Sequence, residues 1–506
     1  MTARRSAVSG RGKPLPTQGR VAVIDIGSNT VRLVVYDTPN RLPIPVFNEK
    51  ADCGLGRGLA GSGRLNPDGV TEALRSLTRF IGLAEAMGVE NLALVATAAV
   101  RDASDGAGFV REIEGRFGVQ VDIPSGAEEA RLSALGLIMG TPKADGFLAD
   151  LGGGSVDLVS LRKGAFDQTA TLPLGHLRLP DAANGDIQKA TELIAGELSG
   201  LGWLQDQHHR TLYAIGGSWR ALARVSINHL SYPLHVVDGY TLSGSDTIQM
   251  CQLVTGLGTR TIRGISGVPK NRAKSLPFAA LVLGALVTRS GVSSVTFSGY
   301  GMREGQLLKM LPENLRTQDP LLSGCAGMAE RVGRFAITGP EIFDWIAPLF
   351  PTGRDAESRL RMAACMLSDI GWSDHPDYRA EHSFLRVLRI PFAGLTHAER
   401  VFLAIAIFIR YNGDMDNDLV RSVRALMTDY DVGHANVTGL ALRLAHTVSG
   451  SAPDLLPQTA FAVSDEEIVL CLPRQHPSDG DVFRGDAVER RLSTLGKALG
   501  RKGRLD

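Results

Sequence analysis

The sequence predicts an α/β protein whose two duplicated lobes face each other across a cleft, followed by an all-helical domain and a small C-terminal α+β segment. Three observations predict it. A strand–turn–strand segment at Val21–Asp37, VAVIDIGSNTVRLVVYD, returns at Gly146–Arg162 as GFLADLGGGSVDLVSLR. Strand and helix patterns alternate around the two copies, as in α/β layers. Beyond Leu311 the glycine turns thin out, and amphipathic helical segments run to about residue 450.

Bulk properties narrow the function classes. A chain of 506 residues can form three or four domains, each with its own core. With 54 basic and 53 acidic residues the net charge is +1, so a polyanion must be held by local clusters. No apolar run reaches the length of a membrane span, and Phe402–Ile409, the densest, reads as a buried helix. Five cysteines, odd in number and without CxxC spacing, point to a reduced, cytoplasmic protein. Residues 1–19 carry Arg4, Arg5, Arg11 and Lys13 without an acid or an apolar stretch, and read as a disordered tail.

In the first copy an apolar run ends at Asp25, turns through Ile26-Gly27-Ser28-Asn29 and resumes at Thr30. Gly27 lets the backbone turn and a ligand approach. Short donors beside the Asp25 carboxylate suit a phosphate carrying a divalent cation. In the second copy Asp150, Gly152, Ser155 and Leu158 take the places of Asp25, Gly27, Thr30 and Leu33, which predicts paired anion-binding turns.

Ile44–Asp52 reads as a strand. The run CGLGRGLAGSG (53–63) contains a GxGxxG, but the next helix opens only at Asn66-Pro67, so a flexible loop is expected, not a dinucleotide site. Asn66 caps a helix whose apolar face is Val70, Leu74, Leu77, Ile81 and Ala84. Strands at 91–97 and 119–123 flank a helix at 107–117. SGAEEAR (125–131) opens the next helix with Glu128 and Glu129 in its first turn, either as acids favoured by the helix dipole or as a functional pair. The strand Thr211–Ile215 runs into Gly216-Gly217-Ser218, an anion cradle or a site of close helix–strand packing. Residues 260–276 concentrate five cations without an acid, a solvated loop or an electrostatic rim. A helix at 277–288 and VTFSGYGMREG (295–305) complete the second lobe, and a strand at 467–472, a Pro/Gly/Asp loop and a basic helix end the chain. The expected divisions are a tail at 1–19, lobes at 20–130 and 131–311, a helical domain at 312–450 and a terminal segment at 451–506. GxxxxGK[ST], GxSxG and HExxH are absent from the sequence, and His208-His209 reads as a surface loop. Hydrolysis would therefore rest on a water activated by a metal or a carboxylate.

DIGSNTVRL, ATAAVRDA, SGAEEARL, DLGGGS, AIGGSWRALA and SGYGMREG, in that order, resemble the exopolyphosphatase/guanosine pentaphosphate phosphohydrolase (Ppx/GppA) family of the actin and sugar-kinase fold superfamily. The resemblance is strong over residues 20–310 and looser beyond. It implies ribonuclease-H-like lobes and hydrolysis of terminal phosphate from inorganic polyphosphate with Mg²⁺. The alternatives it leaves are a pppGpp 5′-phosphohydrolase and a non-catalytic (p)ppGpp-binding sensor. It places the catalytic glutamate on Glu128. Phosphate contacts fall on Gly27, Ser28, Asn29, Thr30, Arg32 and Arg101, and on Gly152, Gly153, Gly154, Ser155 and Arg272. Metal ligands fall on Asp150 and Asp157, the latter standing where the family has a glutamate. Lys274 replaces a family acid, which makes the rim more basic. Leu367-Ser368-Asp369 lacks the histidine of an HD pair although Asp369 and His382 remain, which implies a degenerate HD-like domain extending the polyphosphate path. A cytoplasmic homodimer without membrane attachment is expected. A phosphotransferase using ATP is the reading from another enzyme class, and the lack of an acceptor-sugar segment weighs against it.

Overall fold

The repeated segments fold as repeated hairpins in the computed structural model, which describes residues 19–37, 40–332, 339–351, 355–473 and 481–506. In the first, β1 (Arg20–Ile26) runs antiparallel to β2 (Thr30–Tyr36), and β3 (Pro45–Asp52) pairs outside β2. Helix α1 (Pro67–Ala86) leads to β4 (Val89–Ala96), parallel to β1, and α2 (Gly106–Phe117) leads to the short β5 (Val121–Asp122). The order is β3-β2-β1-β4-β5. Helix α3 (Gly126–Gly140) then leads to the second copy, where β6 (Gly146–Leu151), β7 (Val156–Arg162) and β8 (Ala165–Leu172) form a meander. Next come β9 (Thr211–Ile215), α4 (Gly217–His229), β10 (Tyr240–Ser243), α5 (Leu276–Ser290) and β11 (Ser294–Phe297). The second sheet is ordered β10-β11-β9-β6-β7-β8. Read from β8 inward it repeats the first, with two antiparallel steps and then two parallel ones, before β10 is added at the edge.

Strand alternation sends the residues of β1 into two cores. Ala22, Ile24 and Ile26 join Leu77 and Phe80 of α1, while Val21 and Val23 meet Met139, Leu307 and Leu308. The last two belong to α6 (Met302–Met310), so the end of VTFSGYGMREG, a segment expected to complete the second lobe, opens a helix that packs against the first sheet. Helix α3 also reaches the second sheet, through Ala130, Ala134 and Leu137. Helices α3 and α6 approach so closely that a Cβ on Gly305 would overlap the Leu132 carbonyl, which is why glycine stands there.

The described residues form two compact units divided between Gln318 and Asp319. The division follows Leu311 because that side chain, 2% exposed, is core to the first unit. The second unit contains α7 (Asp355–Leu367), α8 (Arg379–Arg389), α9 (His397–Arg410) and α10 (Asp429–Ser449). It ends in β12 (Ala460–Val463), β13 (Glu467–Cys471), α11 (Asp486–Ala498) and β14 (Lys502–Leu505), with sheet order β12-β13-β14. The run Phe402–Ile409 lies within α9 and is buried throughout. Asp369 and His382 each engage organic partners: Asp369 forms an ion pair with Arg410 at 3.5 Å, both side chains under 15% exposed, and the His382 ring stacks on Tyr378 at 5.8 Å. Asp369→Ala would leave a buried guanidinium without this counter-charge, so chemical denaturation should show a loss of about 3–5 kcal/mol. The expected tail up to residue 18 and most of the Pro/Gly/Asp loop, 474–480, lie outside the described residues. Among the described residues no helix is long and apolar enough to cross a membrane.

Candidate active site

The two hairpin turns are built by one device. Gly27 N–H donates to the Thr30 carbonyl and Gly152 N–H to the Ser155 carbonyl, each at 2.9 Å. A following loop then engages the remaining carbonyls from behind. Cys53 and Gly54 N–H donate to Asn29 O at 2.9 Å, and Gly56 N–H donates to Ser28 O at 2.8 Å. In the second copy, Gly175, His176 and Leu177 N–H donate to Gly154, Gly152 and Gly153 O at 3.3, 3.1 and 2.9 Å. The amides of Ser28, Asn29, Gly153 and Gly154 are left with no acceptor among the described residues. Successive unclaimed N–H groups in a turn form an anion-binding nest. The GxGxxG-like run is thus the buttress of the first turn.

The turns face one another. A Cβ on Gly153 would lie 3.1 Å from Ser28 Cβ, and one on Gly154 would lie 3.9 Å from Ala98 Cβ. A Cβ on Gly175 would overlap the backbone of Gly153–Ser155 and push the second turn out of place. A displacement of that kind costs about 10²-fold in rate. Gly175→Ala should therefore lower kcat/KM for phosphate release by about that factor in steady-state assays.

Carboxylates line the space beside the turns. Strand register sets Asp25 opposite Arg32 in the first hairpin and Asp150 opposite Asp157 in the second. Ser133 Oγ donates to Asp150 Oδ2 at 2.6 Å, and Thr171 Oγ1 donates to Asp157 Oδ1 at 2.7 Å. Desolvation raises Asp25 and Asp150 above the usual carboxylate range; Arg303 opposes it at Asp25 and the Ser133 bond at Asp150. Desolvation, reinforced by Glu129, pushes Asp157 up to about 8. Glu129, with its side chain 16% exposed, is pushed up to about 7 by desolvation, against the Arg101 guanidinium whose Nη1 donates to its Oε2 at 2.8 Å.

Glu128 does not join this group. Ser125 N–H and Oγ donate to its Oε2 at 2.8 and 2.9 Å, and Glu128 N–H donates back to Ser125 Oγ at 3.3 Å, closing a capping box. Those bonds hold its carboxyl below the usual range. Neighbours on a helix point about 100° apart, so one residue turns back to cap α3 and the next reaches the carboxylates. The expectation for Glu128 is corrected accordingly: its carboxylate is occupied as a cap, and the acid beside Asp150 and Asp157 is Glu129.

Three further charges sit here that sequence reasoning passed over. Arg303, its side chain 13% exposed, lies 3.7 Å from Asp25. Glu304 accepts from Gly301 N–H at 2.9 Å, and Tyr36 Oη donates to it at 3.4 Å. Arg220 donates to Gly299 O at 3.0 Å and is lowered to about 10, by desolvation first and by Arg303 second. Both arginines fall inside quoted motifs, AIGGSWRALA and SGYGMREG, and the motifs were the available signal. Arg32 donates to Asn48 Oδ1 at 2.8 Å and feels Arg303, Glu304 and Asp25. Arg272 donates to Ser218 Oγ at 2.7 Å at the start of α4, and its charge acts on Asp52 and on His176, beside the loops that buttress the two turns.

The donor set suits a hard cation. Mg²⁺ typically takes one or two carboxylates and completes its shell with water and substrate phosphates. Asp150 and Asp157 supply two facing carboxyls, and among the described residues no three His, Cys, Asp or Glu side chains form a closed cage. Facing anion nests, a carboxylate pair, clustered arginines and an acid near pKa 7 together allow charge neutralisation and activation of water at a phosphoryl group.

Residues 34–314 match the model of the Ppx/GppA phosphatase family, and residues 341–505 match that described as exopolyphosphatase, C-terminal. Exopolyphosphatase 2 of Mycobacterium tuberculosis is 24% identical over 314 residues, covering 58% of this chain and 98% of that protein. Exopolyphosphatase 1 of the same organism is 27% identical over 304 residues, covering 58% of this chain and 88% of that protein. A solved exopolyphosphatase from Cytophaga hutchinsonii, 24% identical, aligns over 57% of this chain and 97% of its own with a TM-score of 0.52, a likeness of fold.

Proposed function

The chain belongs to the Ppx/GppA phosphatase family, and from that premise we infer that it is an exopolyphosphatase, hydrolysing terminal phosphate from inorganic polyphosphate. The observation that carries this reading is the pair of facing turns with unclaimed amides at Ser28, Asn29, Gly153 and Gly154. A grip from two sides fits the end of a phosphate chain, whose terminal group offers oxygens in every direction.

In this reading the turn amides and Arg32 hold phosphate oxygens, and Arg303 and Arg220 add positive charge behind them. Glu129 accepts the proton of the attacking water, since a base with a pKa near the working pH is the most effective. Arg101 holds that carboxylate in place. Asp150 and Asp157 would hold Mg²⁺, which when bound neutralises charge on the phosphates. Reading the two sheets as ribonuclease-H-like lobes draws support from their shared strand order. The second unit is then a degenerate HD-like scaffold, with the Arg410 guanidinium paired to Asp369. The family resemblance also supports a cytoplasmic homodimer as part of the same proposal.

The test offers purified protein long-chain polyphosphate, pppGpp, or ATP with small acceptors, and follows free phosphate. Release from polyphosphate with Mg²⁺ is expected, and excess EDTA should abolish it until Mg²⁺ is restored. Release from pppGpp alone would overturn the reading.

A further inference from the structure

The basic helix near the end of the chain meets a further arginine across a helix interface in the second unit. Helix α11 carries Arg490 and Arg491, and α10, packed against it, carries Arg443. Arg491 shares the stripe of α11 that turns Val488 and Leu495 inward, three residues after the one and four before the other. Its stem is drawn toward the core with them, so Arg491 is partly buried, as Arg443 is, while Arg490 stays exposed.

The three guanidinia have no counter-charge. None forms a hydrogen bond or an ion pair among the described residues. The hydroxyls of Thr447 and Thr494 reach only the backbone carbonyls of Arg443 and Arg490. Arg491 Nε is shut off from solvent and has no acceptor. Burial holds Arg443 and Arg491 below the ordinary arginine range, and the neighbouring guanidinia add to it: Arg491 and Arg490 act on the first, Arg490 on the second, and no acid acts against them. Other arginines withdrawn from solvent in this unit are compensated, Arg359 by Asp319, Arg410 by Asp369 and Arg400 by the Phe392 carbonyl. Like charges half out of water destabilise a fold unless an anion joins them.

Such a set selects a multiply charged oxyanion. Guanidinium forks match phosphate oxygens two at a time, and forks arriving from two helices can grip a tetrahedral group from different sides. A chloride or a lone carboxylate would offset only one of the three charges. We propose that Arg443, Arg490 and Arg491 bind a phosphate group with residues of the second unit alone. That group is a free orthophosphate or pyrophosphate ion, or one member of a polyphosphate chain; the chemistry recognised is the same. The site does not depend on which residues perform hydrolysis in the cleft.

Hydrogen exchange read peptide by peptide on the full chain tests the site, since it separates α10 and α11 from the turns at 27–30 and 152–155. Orthophosphate, pyrophosphate and long-chain polyphosphate are each added in excess EDTA, with sodium chloride at matched ionic strength as the control. At least one phosphate compound should slow exchange in α10 and α11 at millimolar concentration, where chloride does not. The concentration giving half the effect should rise at least about tenfold in Arg443→Gln/Arg491→Gln, the equivalent of one lost phosphate contact. It should rise less in Arg443→Lys/Arg491→Lys, which keeps the charge without the fork. Without phosphate the Gln variant should melt no lower than wild type, because repulsion is relieved. Protection by the small ions assigns the site to a free ion, and protection by polyphosphate alone assigns it to the chain. Unaltered exchange in these helices with all three compounds, equal protection by chloride, protection unchanged in the Gln variant, or a less stable Gln variant would each overturn the proposal. Slowing at the turns alone would overturn it too, while leaving the reading of the cleft in place.

Discussion

Glu129→Gln is expected to lower phosphate release from polyphosphate by about 10³-fold, within the range general-base catalysis supplies, while binding of the chain changes little. The amide keeps the shape of the side chain and its contact with Arg101 but cannot take a proton. Glu128→Gln should turn over close to wild type, because the Glu128 carboxylate is spent on Ser125 N–H and Oγ at the helix cap. Single-turnover release by the two variants separates these neighbours cleanly. A dead Glu128→Gln beside an active Glu129→Gln would return the base to the cap position.

Arg101→Met is expected to move the acid limb of the rate profile upward. Desolvation raises Glu129 to about 7, and both the hydrogen bond and the charge of Arg101 work against that rise. Without them the carboxyl holds its proton to higher pH. Wild-type kcat/KM should fall about tenfold per unit below pH 7, as expected when one essential base becomes protonated. The variant's limb should lie at least about one unit higher, a shift equivalent to roughly 1.4 kcal/mol, with activity partly recovered in alkali. A uniform loss with an unmoved limb would show that Arg101 serves the phosphate alone. The same shift acts on stability with the opposite sign. A carboxyl whose folded pKa is raised binds more protons folded than unfolded between its ordinary 4.5 and about 7, so its contribution declines as pH rises across that window. Over the same interval the base becomes competent, so this residue exchanges fold stability for activity.

The hairpins were legible because their signal is doubly local: alternation of apolar residues along each strand, and the same spacing repeated. The doubled sheet order followed from connections too long-range for that signal. The acid that reaches the carboxylates stands one residue beyond the expected Glu128. Ser125-Gly126-Ala127-Glu128 is an S-x-x-E capping pattern, and weighing it would have assigned Glu128 to the cap and left Glu129 for the cleft. Arg220 and Arg303 could not be placed from sequence, since their convergence on Asp150 and Asp25 depends on where α4 and α6 dock. The return of α6 to the first sheet was hidden for the same reason. Only the tertiary packing of Leu307, Leu308 and Leu311 against β1 and β2 shows to which core they belong.

A crystal structure of the Glu129→Gln protein with a short polyphosphate and Mg²⁺ tests the two-sided grip most directly. The terminal phosphate should receive hydrogen bonds from amides in both 27–30 and 152–155, with the residue 129 side chain turned toward it. A chain end held by one turn only, or bound away from both, would contradict it.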